Sequence, residues 1–199
     1  MIRVLLIAAL LFSGGTWAAQ DAASTLVKDV SERMLAALER RRGEIDRDPS
    51  LIYGLVDDIL VPHFDFDKIT QAAVGVHWRK ATPQQRRELS EGFRQVLIRT
   101  YARALLNYSG EEVRYLPVKP GRREDTVTVS TEVREPAGPT VPVDYRMYLK
   151  GGRWKVYDVV IDHVSLIANY RSSFNSQIRR EGIDALIRRL GVMNAKGQA

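Results

Sequence analysis

The period of the apolar pattern changes twice along the chain, and this limits the possible folds more than any other feature. Leu26, Val27, Val30, Met34 and Leu38 recur at helical spacing up to Gly43. Asp48 and Pro49 then offer a helix start, followed by a stripe of Leu51, Ile52, Leu55, Val56, Ile59 and Leu60 that Pro62 ends. A shorter helical segment is expected from Asp65 through Ile69 and Val76. Thr82-Pro83-Gln84-Gln85 is a capping box with proline at the first helical position, and it should open a long helix. The stripe of that helix is Leu89, Phe93, Val96, Leu97, Tyr101, Ala104, Leu105 and Tyr108, and Gly110 should close it.

After Gly110 the pattern alternates, as strands with one covered face do. Val113 and Tyr115 begin it; Val127, Val129, Thr131 and Val133 share one face, as do Val141, Val143, Tyr145, Met147 and Leu149. Residues 136–139 read as a loop and Gly151-Gly152 as a turn into a fourth strand, Trp154 to Ile161. Helical spacing returns at Ser165, an N-cap, and continues past Gly182 in a short last helix, with a frayed polar tail expected after Gly191. This order predicts one α+β domain over residues 19–199: a curved antiparallel sheet of about four strands with helices packed over one face.

Residues 1–18 read as an export signal and not as fold. Arg3 supplies a positive start, Val4 to Phe12 an apolar run, and Thr16-Trp17-Ala18 small residues at the positions a signal peptidase reads. The run is well short of the ~20 residues that span a bilayer. Export and the absence of cysteine together mean that the mature domain must rely on its hydrophobic core, with no disulfide and no lipidation site. The formal net charge of +6, which includes Arg3, favours acidic partners; for an exported chain these are anionic headgroups and acidic protein surfaces, not nucleic acid.

Candidates for catalysis are few. His63, His77 and His163 lack a second histidine at ligand spacing, and His63 with Asp65 is a poor metal site. Ser165 lacks the glycines of a nucleophile elbow and suits an N-cap better. Asp57-Asp58, Asp65 and Asp67 lie near helix ends, where carboxylates are ordinary. Alternation sends Asp144 and Tyr145 to opposite faces, so only one of them could enter a pocket. No catalytic, metal or cofactor site is expected. Periodicity does not distinguish a filled core from a hollow one, so a pocketed enzyme acting on lipids and an interaction module with a solid core both remain open.

Two blocks carry a family resemblance. Residues 75–86 (GVHWRKATPQQR), followed by Phe93 and Thr100-Tyr101, form the first. Trp154 to Val159, Val164-Ser165-Leu166, Asn169-Tyr170-Arg171, Phe174 and residues 182–187 form the second. In length and order these resemble the MlaC family, also known as toluene-tolerance auxiliary proteins, across essentially the whole mature chain. His163 departs from the pattern, standing where the family has glycine. The resemblance implies a fold of the nuclear-transport-factor type (NTF2-like) enclosing an apolar cavity. It also implies a periplasmic phospholipid carrier that keeps the outer membrane asymmetric, with lipid as cargo and no reaction catalysed. Its implied partners are an outer-membrane lipoprotein–porin complex and an inner-membrane ABC transporter complex with a hexameric substrate-binding ring, and the carrier is expected to be a monomer. The lipid-binding residues expected on that basis are Trp78, Phe93, Val96, Leu97 and Tyr101 from the helices. From the sheet and the junction after it they are Val129, Val143, Tyr145, Met147, Val156, Ile161 and Val164.

Overall fold

The longest well-capped helix, α5 (Pro83–Leu105), organises the helical layer. Its capping box forms as the sequence predicts: the Gln85 N–H donates to Thr82 Oγ1 at 3.2 Å and the Thr82 N–H to Gln85 Oε1 at 3.0 Å. This satisfies two donors that every helix start leaves over. A computed structural model describes residues 15–108, 110–134 and 138–196 of the chain. Residues 1–14 of the expected leader, Pro136 and Ala137 of the expected loop, and the last three residues of the tail lie outside the described residues.

Ahead of α5 lie α1 (Gly15–Arg40), α2 (Arg42–Ile45), α3 (Leu51–Ile59) and α4 (Phe66–Val74), with 3₁₀ turns at Val61–His63 and Gly75–Lys80. The second helix of the sequence reading starts later than expected. Asp48 accepts the Ser50 N–H at 3.0 Å in a local turn, and the helix itself begins at Leu51. At its far end α5 stops at Leu105, ahead of Gly110. After the sheet come α6 (Leu166–Glu181), capped by Ser165 Oγ on the Ala168 N–H at 3.1 Å, and α7 (Ile183–Lys196). The last helix runs beyond Gly191, where fraying was expected. Asn194 Nδ2 donates to the Gly92 carbonyl at 3.1 Å and Met193 packs on the core, so the final turn is held by α5. Gly92 also lets the two helices approach: a Cβ there would lie 3.1 Å from Leu190 Cβ.

The sheet is wholly antiparallel, in the order β1 (Glu112–Tyr115), β3 (Thr126–Arg134), β4 (Thr140–Lys150), β5 (Arg153–Ile161), β6 (Val164–Ser165), with β2 (Lys119–Pro120) also on β3. The described residues thus form six strands where about four were expected. The additional β2 and β6 are two residues each, too short to carry an alternation. Alternation fixed the register elsewhere: Val127, Val129, Thr131 and Val133 face Met147, Tyr145, Val143 and Val141. A bulge between Arg146 and Met147 shifts the β4–β5 pairing, so Met147 pairs with Val156 while Arg146 pairs with Asp158.

Three apolar clusters result. Phe93, Phe174, Leu186 and Leu190 centre one among α4–α7; Leu38, Ile52, Leu55 and Ile98 centre another among α1, α3 and α5. In the third, Ala23 and Val27 of α1 cover Val127, Val129, Met147 and Val156 on one half of the sheet face.

Candidate functional site

Where the three clusters meet, the packing leaves a hollow. Ile69, Leu97 and Ile167 come to its wall from the first cluster, Val56, Ile98 and Ala102 from the second, and Val159 from the third. The cavity measures about 410 Å³, within the range of small-molecule sites. Its floor is the half of the sheet that α1 does not cover: Val133, Val141, Val143, Tyr145, Val159 and Ile161. Its roof is the C-terminal half of α5, where Leu97, Tyr101 and Leu105 follow at helical spacing, and Phe64 and Phe66 close one side.

The polar groups on this wall are internally engaged. Burial pushes the Tyr145 hydroxyl above its ordinary pKa, against its hydrogen bond with Thr131; burial also raises that of Tyr101, which is hydrogen-bonded with Asn169. Both phenols stay neutral. Asp158 is the one carboxylate among the described lining residues. One of its oxygens accepts from Arg146 at 2.9 Å and Ser165 Oγ at 2.7 Å, the other from the Ile167 N–H at 3.3 Å. Asp158 thereby ties β4, β6 and the start of α6 together, leaving the wall in effect a hydrocarbon surface.

Of the residues expected to bind lipid, Leu97, Tyr101, Val143, Tyr145 and Ile161 lie on this wall. Phe93, one turn before Leu97, and Val96, the residue before it on a different face of α5, both belong to the filled cluster, where Phe93 meets Tyr170 and Phe174 edge-on at 4.9 and 5.0 Å. Val129, Met147 and Val156 lie under α1. Trp78 packs on the rim of the first cluster beneath the Arg86 guanidinium, and Val164 is 56% exposed. Phe64, Phe66, Val133, Val141, Val159 and Leu166 were absent from the expected set. Val133 and Val141 had the same alternation as Val143, so that signal was present; Phe64 and Phe66 gave none, since they flank a helix start.

The turn beside the cavity carries backbone strain. Asp162 and His163 link Ile161 to Val164 with φ of 47° and 65°, the positive pair of a two-residue hairpin of the type I′ class. A glycine at 163 would adopt this conformation freely. His63 lies in the 3₁₀ turn, where burial lowers its pKa, helped by Lys155 and Arg33. Among the described residues no three histidine or carboxylate groups converge as metal ligands.

Behind the Phe64–Phe66 wall, Asp65 anchors α4 to the sheet. Its Oδ1 caps the Lys68 N–H at 3.0 Å, and its Oδ2 accepts from Lys150 at 2.7 Å and from the Tyr148 hydroxyl. Burial would raise the Asp65 carboxyl, but these hydrogen bonds outweigh it and hold the group below the usual carboxylate range. The Asp65 N–H also donates to the Val156 carbonyl at 2.9 Å, which fixes the two phenylalanines on either side.

Known proteins share this architecture. The family model described as MlaC protein matches residues 28–191. The toluene tolerance protein Ttg2D of Pseudomonas putida is 30% identical over 162 residues, 80% of this chain and 74% of that protein. The intermembrane phospholipid transport system binding protein MlaC of Haemophilus influenzae is 22% identical over 175 residues, 86% of this chain and 82% of its own. A solved structure of the phospholipid-binding protein from Ralstonia solanacearum in complex with a phospholipid superposes with a TM-score of 0.81 at 33% identity, covering 89% of this chain and 99% of that one. The resemblance read from the sequence therefore holds, and the chain belongs to the MlaC family.

Proposed function

We propose that this protein is a periplasmic phospholipid carrier, exported through its N-terminal signal. It would shuttle lipid between an outer-membrane lipoprotein–porin complex and an inner-membrane ABC transporter complex with a hexameric ring. The observation that carries this reading is the hydrocarbon-walled cavity, in a fold whose relative from R. solanacearum is a phospholipid-binding protein in complex with a phospholipid. The physical need is clear: each acyl methylene exposed to water costs about 0.8 kcal/mol, so two tails leaving a bilayer unprotected cost tens of kcal/mol. A wall of Val, Leu, Ile and Phe side chains supplies that burial without reading a headgroup. The engagement of Asp158 with Arg146, Ser165 and the Ile167 N–H supports carriage over hydrolysis, since the acid on the wall is not free to act as a base.

The test is transfer of a fluorescent phospholipid between donor and acceptor vesicles. The processed protein should speed transfer in proportion to its concentration and return intact lipid on extraction. Transfer at the spontaneous rate would remove the carrier reading, and accumulation of lysolipid or fatty acid would replace it with a hydrolase.

A further inference from the structure

Phe64 and Phe66, stacked with ring centroids 5.9 Å apart, stand between two hollows. One is the apolar cavity; the other is a more open groove of about 650 Å³, lined largely by charged residues and formed with α5 and the β4–β5 turn. Five cations line the groove against three carboxylates. Asp65 is taken by Lys150 and Tyr148, and Glu91 by Arg94 at 2.9 Å, an arginine that also pairs with Asp57 outside the groove. Arg87, Arg153 and Lys155 are left, with only Asp67 to balance them. Arg87 reaches Gln84 Oε1 at 2.7 Å, Lys155 donates to the Pro62 carbonyl, and the exposed Arg153 has no side-chain partner among the described residues. Ser90 Oγ, on a residue 8% exposed that lines the groove, also has no hydrogen-bond partner among them. The fold therefore holds an excess of positive charge, and a buried donor, that it does not itself use.

We propose that this groove docks an acidic segment of the membrane complexes with which the carrier exchanges lipid, with an apolar side chain of the segment seated on Phe64 and Phe66. Unpaired arginines beside half-buried aromatic rings are the composition of a protein interface. A free phosphate would use the cations and leave the rings wet. The segment would press on the wall that the two rings share with the cavity, so docking lies one side chain away from the cargo.

The identity of the partner rests on the carrier reading above. The experiment uses lipid-loaded processed protein and measures, by biolayer interferometry, its affinity for the purified inner-membrane and outer-membrane complexes of the same organism in nanodiscs. Arg87→Glu with Arg153→Glu is compared with Arg179→Glu with Arg180→Glu at the end of α6. The groove reversal should weaken binding to at least one complex tenfold or more, Arg87→Gln with Arg153→Gln should weaken it less, and the α6 pair should stay within twofold. Unchanged affinity of the groove variant for both complexes, at low and high salt, overturns the groove while leaving the carrier reading intact. Failure of the wild type to bind either complex overturns the groove and the partner assignment together. Loss of binding to phosphatidylglycerol vesicles alone, with both complexes still bound, overturns it in favour of a membrane surface.

Discussion

Val143→Phe and Val129→Phe are the same chemical change on one sheet face, yet the two should behave as opposites. Val143 lies on the cavity wall, paired with Thr131 and Ile161, whereas Val129 is 0% exposed beneath α1, paired with Tyr145. Each substitution adds four heavy atoms, roughly 50 Å³ at the packing density of a protein interior. At position 143 that is about an eighth of a cavity of 410 Å³, and the ring has somewhere to go. At position 129 there is no space, and overpacking costs about 1–3 kcal/mol. For a domain of this size each kcal/mol moves Tm by about 2–4 °C, so Val129→Phe should fall by roughly 2–12 °C and Val143→Phe by less than about 2 °C. For lipid the order reverses: losing the burial of about two methylenes costs about 1.6 kcal/mol, or roughly tenfold in affinity. Thermal unfolding by circular dichroism on delipidated protein, which removes stabilisation by bound lipid, reads the first effect. Titration with a fluorescent phospholipid reads the second. Equal Tm losses in the two variants would refute the claim that the two halves of this sheet face differ in packing.

Three other variants probe the supports of the site. Asp65→Asn should cost about 2 kcal/mol near neutral pH, because hydrogen bonds to a charged acceptor are lost. The depressed folded pKa of Asp65 makes its contribution full above about pH 4 and loses it as pH falls through that lower value, so the variant should lose less stability than wild type between pH 5 and 3 in urea titrations. His163→Gly should raise stability by about 1 kcal/mol, seen as a Tm higher by about 2–4 °C, because glycine relieves the positive φ of 65°. Asp158→Ala should cost about 2 kcal/mol through the orphaned Ile167 N–H and Ser165 hydroxyl, with faster amide exchange at the start of α6 as the local readout.

The helices and long strands were legible because their signals are local. The capping box at Thr82, the cap at Ser165 and the alternation through Val127–Val133 each act within a few residues. Strands β2 and β6 were not legible, since two residues show no period. The boundary between filled and hollow was hidden for a different reason. Phe93, Leu97, Tyr101 and Leu105 form one continuous stripe on α5, but its first part is filled in by α6 and α7 while its last part lines the cavity. Which partner a stripe meets depends on contacts far away in sequence, such as Ala23 and Val27 of α1 covering one half of the sheet and not the other. Phe64 and Phe66 reach the wall because Asp65 between them is tied to Lys150 and Tyr148, more than eighty residues downstream. No periodicity reports such a link.

Whether the protein carries phospholipid is read by native mass spectrometry of the processed protein, purified without detergent, followed by extraction and identification of whatever it holds. Intact phospholipid at a defined stoichiometry is expected, at lower occupancy in Val143→Phe and retained by a folded fraction of Val129→Phe. A clean apo mass that stays apo after incubation with phospholipid vesicles would contradict it, and the hollow between α5 and the sheet would then be an empty space without cargo.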